Sequence, residues 1–198
     1  MDNPESSSRE VDPLTGQVAL PLPVDNTGIE VFDNRIGLCD RNKFLNYCYR
    51  SKFVLGWNDS DEHEKNIPNL YSWWTPEDLE ETKLKPYIDA CIEECSWFVC
   101  KKHIKTALNI VSPGDIHYTP THYGEQVALY YVNLDWRDGW YGETMFYDPY
   151  DSSKIVYTSS YKPGRIVLFD GRIPHSIRPQ SSIGPKFRLT VSLFYTQD

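Results

Sequence analysis

Three histidines and one arginine in the second half of the chain have the types and spacing to do chemistry. His175 ends the run Gly164-Arg165-Ile166-Val167-Leu168-Phe169-Asp170-Gly171-Arg172-Ile173-Pro174-His175, and Arg188 lies inside Phe187-Arg188-Leu189-Thr190-Val191-Ser192-Leu193-Phe194. Both runs carry the β-branched and aromatic content of buried strands. An imidazole at a strand mouth and a guanidinium within the next strand are thereby aimed into one cavity. His117 and His122 occur upstream, in Gly114-Asp115-Ile116-His117-Tyr118-Thr119-Pro120-Thr121-His122-Tyr123-Gly124-Glu125-Gln126. Imidazole is a favoured ligand for iron, and the planar guanidinium fork suits a carboxylate. The implied chemistry is a metal centre beside a carboxylate-binding residue.

These residues need a scaffold of short strands. From Ile104 onward, β-type runs fall near residues 104–111, 115–119, 126–133, 143–147, 154–158, 165–169, 173–178 and 187–195, separated by Gly, Pro, Asp and Asn. Eight strands without intervening helices predict a sandwich or jelly roll. Residues 27–103 read as mainly helical support, with Asp40 as an N-cap and Thr75-Pro76-Glu77-Asp78 as a second helix start. The predicted fold class is an all-β core with flanking helices (α+β). Residues 1–26 form a polar tail and residues 27–198 a single domain. His63, in the polar stretch Asn58–Asn66, reads as a solvated loop residue.

Charge and composition exclude some classes of function. The 198 residues carry 20 Lys+Arg against 28 Asp+Glu, a net charge of -8 that disfavours nucleic acid. No apolar stretch is long enough for a membrane span and no signal pattern is visible, so the expected location is cytoplasmic. Cys91, Cys95, Cys100 and His103 are zinc-ligand types, but they lack paired knuckle spacing. Cys91 and Cys95 fit better on the apolar helix face of Ile88 and Ile92.

On a jelly roll, two strand-borne histidines, one carboxylate and open coordination positions make a non-haem Fe(II) oxygenase site. Two further runs carry a resemblance. Leu129-Tyr130-Tyr131-Val132-Asn133-Leu134-Asp135-Trp136 is followed by Trp140-Tyr141-Gly142-Glu143-Thr144-Met145-Phe146-Tyr147-Asp148, then by Tyr161-Lys162-Pro163-Gly164-Arg165 through His175. Residues 105–196 thus resemble the Fe(II)/2-oxoglutarate-dependent oxygenases of the prolyl-4-hydroxylase-like type. The resemblance implies a double-stranded β-helix (jelly roll, cupin-like) with Fe(II), 2-oxoglutarate and O2 as cofactors. It implies His175 as the distal iron ligand and Arg188 as the partner of the distal 2-oxoglutarate carboxylate, assisted by Tyr131 and Thr190.

The chain departs from that family at the proximal ligands, where no His-x-Asp or His-x-Glu occurs. Three readings stand. His122-Tyr123-Gly124 is similar to the His-x-Gly of Fe(II)/2-oxoglutarate halogenases, in which chloride takes the position the carboxylate leaves. Alternatively, Glu125 supplies the carboxylate one position further along. Alternatively, His117 joins His122 and His175. On a straight strand His122 and Gly124 share a face and Glu125 points away, whereas a positive φ at Gly124 would redirect it. Asp170-Gly171 reads as a turn. Arg178, Trp140 and Tyr123 are candidate substrate contacts, and Arg172 a candidate anion holder.

The expected function is oxidation, chiefly hydroxylation, of an unactivated C–H in a small molecule or amino-acid-type side chain. Halogenation is the alternative, and a non-catalytic jelly-roll binding module is a second.

Overall fold

The structure, a computed structural model, describes residues 28–57, 69–115, 117–119 and 121–197. In chain order these form β1 (Ile29–Phe32), α1 (Leu38–Cys48), β2 (Val54–Trp57), β3 (Asn69–Trp74), α2 (Pro76–Thr82), α3 (Lys85–Glu94) and β4 (Lys102–Val111). Then follow β5 (His117–Thr119), β6 (Glu125–Tyr131), β7 (Thr144–Asp148), β8 (Asp151–Ser159), β9 (Ile166–Asp170), β10 (His175–Ile177) and β11 (Arg188–Thr196). A seven-stranded sheet in the order β1-β9-β6-β11-β4-β3-β2 faces a four-stranded sheet in the order β5-β10-β7-β8. This is the jelly-roll core expected from the strand-rich second half, with helices on one side.

Side-chain alternation gives the larger sheet two different faces. Leu108, Ala128, Tyr130, Val132, Leu189, Val191, Leu193 and Tyr195 pack with Phe44 and Cys48 of α1, Leu79 of α2 and Ile88, Cys91 and Ile92 of α3. Each fully buried aliphatic side chain in this layer contributes about 1.5–3 kcal/mol relative to exposure. The opposite face turns Val127, Leu129, Tyr131, Val167, Phe169 and Phe194 toward Phe146 of the smaller sheet. α2 starts as Thr75-Pro76-Glu77-Asp78 indicated: Thr75 Oγ1 accepts from the Asp78 amide (3.1 Å) and Asp78 Oδ2 from the Thr75 amide (2.8 Å).

Two expectations about residues 27–103 are corrected. The region is not mainly helical, because β1, β2 and β3 lie in it and extend both edges of the large sheet. β3 puts Leu70 and Trp74 on the helix-packed face and Tyr71 and Trp73 on the other, so apolar residues occupy both faces and the alternation that signals a strand is lost. Asp40 is not an N-cap. α1 begins after Gly37, and Asp40 lies in its first turn, accepting from Lys43 (2.7 Å) and Tyr87 (2.8 Å).

Cys91, Cys95 and Cys100 are buried in the helix-backed core, and burial pushes the thiols of Cys91 and Cys100 up to about 11. His103 Nε2 pairs with Thr106 Oγ1 at 2.8 Å. Among the described residues, no helix is long and apolar enough to cross a membrane. His63 and the 1–26 tail lie outside the described residues.

Candidate functional site

The fold brings His122, His175, Arg188 and Thr190 to one cavity of about 60 Å³ between the two sheets. Ala107, Asn109, Val127, Leu129, Thr144, Phe169, Ile177, Ser192 and Phe194 line the rest. Alternation along β11 sends Arg188, Thr190, Ser192 and Phe194 to this side.

His175 opens β10, paired on one side with Thr119 and on the other with Phe146. Its ring packs against Phe169 (centroids 4.7 Å apart) and Phe146 (5.8 Å). Nδ1 lies 3.2 Å from the Ile173 carbonyl, which can only accept; that bond places the proton on Nδ1 and the lone pair on Nε2. The His122 ring lies 5.7 Å from that of His175 and edge-on to Phe194 at 5.1 Å. The two imidazoles therefore share one end of the cavity.

His122 is held by a turn rather than a strand. The Glu125 amide donates to its carbonyl (3.1 Å), and Gly124 between them has φ +75°, a conformation that glycine adopts without a side-chain clash. The Asp170-Gly171 turn seats this one, with the His122 amide donating to the Gly171 carbonyl (2.5 Å) and the Gly171 amide to the Glu125 carbonyl (3.0 Å). Side chains consequently do not alternate from His122 to Glu125 as they would on a strand. Glu125 opens β6 on the face of Val127 and Leu129, with Oε2 3.9 Å from His122 Nδ1 and Oε1 accepting from Lys105 Nζ (2.7 Å). Oε2 is buried without a hydrogen-bond partner among the described residues.

Arg188 is the largest fully buried side chain among the described residues, at 1% exposure. Nε donates to the Gly142 carbonyl (2.9 Å) and Nη2 to Thr144 Oγ1 (3.0 Å), while Nη1 is buried with no hydrogen-bond partner. Tyr131 and Tyr161 stack on each other at 4.6 Å, and the guanidinium carbon lies 5.4 and 5.0 Å from their centroids. Gly142 has φ +82°, and a Cβ there would press on Trp136 and Arg188, so glycine lets this loop close over the guanidinium. No carboxylate among the described residues forms an ion pair with Arg188, and desolvation by burial holds its pKa below the usual value. A buried cation with an unused N–H at a cavity wall is built to receive an anion.

The other expected residues divide. Tyr131 reaches the site through its hydroxyl, which donates to Thr144 Oγ1 (2.8 Å). His117 pairs through its backbone with Ile177, and its side chain lies outside the described residues. Arg172, expected as an anion holder, is instead buried in a bidentate pair with Asp170, at 3.0 and 2.9 Å. Arg178, Trp140 and Tyr123 are not among the cavity-lining side chains. Arg178 lies over the Tyr141 ring at 3.8 Å and 3.7 Å from Glu143, Trp140 packs beside Trp136 and Gly184, and Tyr123 is exposed on its turn. Thr144, whose oxygen joins Arg188 to Tyr131, was missed as a site residue. The Gly-Glu-Thr sequence contains it, but its partners come from two other strands.

The donor set fits a metal in part. Two imidazoles at one cavity end, one with its tautomer fixed, suit a first-row divalent ion with several open positions. Among the described residues, no three His, Cys, Asp or Glu side chains are arranged to hold an ion, so Glu125 is not preformed as a third ligand. Arg188 with its orphaned Nη1 fits the carboxylate of 2-oxoglutarate.

No protein-family model matches the chain, and no curated protein matches it. Solved structures share its fold. A prolyl hydroxylase from Trichoplax adhaerens, in complex with a hypoxia inducible factor peptide fragment, superposes with a TM-score of 0.63 at 18% identity, over 86% of this chain and 84% of that one. A Pseudomonas putida prolyl-4-hydroxylase gives 0.64 at 12% identity, over 86% and 93%. HygX from Streptomyces hygroscopicus, with nickel and 2-oxoglutarate bound, gives 0.63 at 10% identity, over 87% and 84%. The chain thus has the double-stranded β-helix fold of these enzymes.

Proposed function

We propose that the chain is an Fe(II)- and 2-oxoglutarate-dependent oxygenase that oxidises a C–H bond of a small molecule or side chain. The carrying observation is the buried Arg188, with no ion-pair partner among the described residues, in the same cavity as His122 and His175. A metal-only function would not need that cation, and a purely structural arginine would have a carboxylate partner, as Arg172 has in Asp170. The fold neighbours support the reading.

His122 and His175 would hold iron, and Arg188, Thr144 and Thr190, with Tyr131 behind them, would hold the distal carboxylate of 2-oxoglutarate. Bound iron would supply oxygen activation: one O2 and one 2-oxoglutarate give succinate and CO2, with the second oxygen atom delivered to the substrate C–H. The protein's own part is orientation and exclusion of water. Arg188 offers parallel N–H donors that fix the co-substrate's direction, and the Ile173 carbonyl keeps the His175 lone pair on Nε2. Phe169, Phe194, Val127 and Leu129 make the remaining wall apolar, which strengthens the charge pairing inside.

Glu125 separates hydroxylation from halogenation. Hydroxylation is favoured if its carboxylate leaves Lys105 and completes a two-His, one-carboxylate set. If it stays on Lys105 behind His122, the next position is left to an anion such as chloride, the halogenating alternative. Product analysis with and without chloride distinguishes the two. The oxygenase reading itself is tested by CO2 release from 2-oxoglutarate with Fe(II) and O2. Release abolished by Arg188→Met supports it; no release, and none with candidate substrates, leaves a non-catalytic binding module.

A further inference from the structure

Arg188 is held by its backbone as well as by its side chain. β6 and β11 are antiparallel, with Tyr131 opposite Thr190 and the Val132 amide donating to the Leu189 carbonyl (3.1 Å), so the continued register sets Asn133 opposite Arg188. In a continued ladder the Leu189 amide would return the bond to the Val132 carbonyl. It donates instead to Asn133 Oδ1 (2.9 Å), while Asn133 Nδ2 donates to the Phe187 carbonyl (3.0 Å). One buried amide side chain thus binds the residues on both sides of Arg188. The Tyr161 hydroxyl completes the clamp: it accepts from the Asn133 amide (3.0 Å) and shares its own proton between Asn133 Oδ1 (2.6 Å) and the Leu189 carbonyl (2.7 Å). Burial pushes the pKa of this hydroxyl above its usual value, which keeps it a donor.

We infer that Asn133 and Tyr161 are positioning residues that set the depth of Arg188 in the cavity and thereby select the length of the co-substrate, a five-carbon 2-oxo dicarboxylate over its six-carbon homologue. The inference deepens the oxygenase reading and rests on it. Among the described residues, every hydrogen bond of the Asn133 side chain and the Tyr161 hydroxyl goes to Phe187, Leu189 or each other, so the network serves the strand on either side of Arg188 and nothing else. Tyr161 acts on the side chain too, because its ring stacks on Tyr131 and its centroid lies 5.0 Å from the guanidinium carbon. The clamp fixes the root of Arg188, and Gly142 and Thr144 fix its head. With no slack at either end, the guanidinium cannot retreat from the histidines. A diacid longer by one methylene inserts a further C–C bond of about 1.5 Å and must buckle to reach both ends of the cavity.

The test is anaerobic calorimetric titration of the full-length, Fe(II)-loaded protein with 2-oxoglutarate and with 2-oxoadipate, reading the ratio of the two Kd values rather than turnover. Wild type should prefer 2-oxoglutarate by about 10–200-fold, the range for one methylene in a shaped pocket. Tyr161→Phe keeps the stacked ring and removes only the hydroxyl, and should lower that ratio about fivefold. Asn133→Ala should lower it further wherever the variant folds. Leu193→Ala, on the helix-packed face, should lower the melting temperature and leave the ratio at the wild-type value, which separates positioning of Arg188 from general loss of stability. A wild type that binds both diacids equally, or a Tyr161→Phe variant with the wild-type ratio, overturns the clamp while 2-oxoglutarate binding still supports the oxygenase reading. A wild type that binds neither diacid sinks that reading and the clamp with it.

Discussion

Along β11, Leu189, Val191, Leu193 and Tyr195 face the helices, while Arg188, Thr190, Ser192 and Phe194 face the smaller sheet. The two sets alternate in one strand and are equally buried, yet they differ in what burial does for them. Leu193, in the helix-backed layer, gains from leaving water, and the apolar cluster it belongs to, with Ala128 opposite it, makes no demand beyond shape. Arg188, on the other face, loses hydration and recovers only part of it from Gly142, Thr144 and two tyrosine rings. One face of the sheet therefore stabilises the fold. The other holds a buried cation whose lost hydration no ion pair among the described residues replaces.

Substitutions on the two faces should separate accordingly. The largest effect is expected from Arg188→Met, which should weaken 2-oxoglutarate binding by at least about a hundredfold, since a buried charge-assisted pair is worth ~2–5 kcal/mol. The same change should leave the melting temperature of the ligand-free protein unchanged or raise it, because an unpaired buried cation is removed. A large fall in melting temperature would break the comparison. Leu193→Ala should do the reverse, costing about 2–5 kcal/mol of stability by calorimetry or denaturant titration, with 2-oxoglutarate affinity preserved in the folded fraction.

Thr144→Val sharpens the comparison by touching the cavity side without removing charge. It deletes the oxygen that accepts from both Arg188 and Tyr131, and isothermal titration should show 2-oxoglutarate affinity reduced about tenfold. The smallest effect belongs to an ion pair on neither face. Asp33 accepts from Arg165 at 2.9 and 3.0 Å and from Lys162 at 2.8 Å, and these contacts, Arg165 first, hold its pKa down at about 2. A depressed carboxylate pKa gives stability that is present above the unfolded value of 3.8 and is lost as pH falls toward 2. Asp33→Asn should lower the melting temperature by about 2–4 °C at pH 7, and the difference from wild type should vanish near pH 2. A constant difference across that range would mean that the contribution is not ionic.

The site was more legible in the sequence than its supports were. His122, His175, Arg188 and Thr190 were marked by β-type runs and by two ordered motifs, and the structure gathers all four at one cavity. The eight strands after residue 104 were visible because turn residues punctuate them. β2 and β3 were not, since β3 carries apolar side chains on both faces, Leu70 and Trp74 on one and Tyr71 and Trp73 on the other, which hides the alternation. Strand parity alone could not place Glu125, because His122 sits in a turn directed by the positive φ of Gly124, the alternative that the glycine had left open. Thr144 was missed because its role comes from contacts with β6 and β11, which no local pattern encodes. Arg172 shows the converse: its chemistry looked functional, and a partner two residues away neutralises it.

The most direct test of the central claim is an anaerobic titration of the Fe(II)-loaded protein with 2-oxoglutarate, following the visible metal-to-ligand charge-transfer band. The band should saturate at one equivalent, be absent in His175→Ala, and need far more 2-oxoglutarate in Arg188→Met. A wild-type protein that binds Fe(II) but gives no band at millimolar 2-oxoglutarate, or an Arg188→Met variant that titrates like wild type, would contradict it.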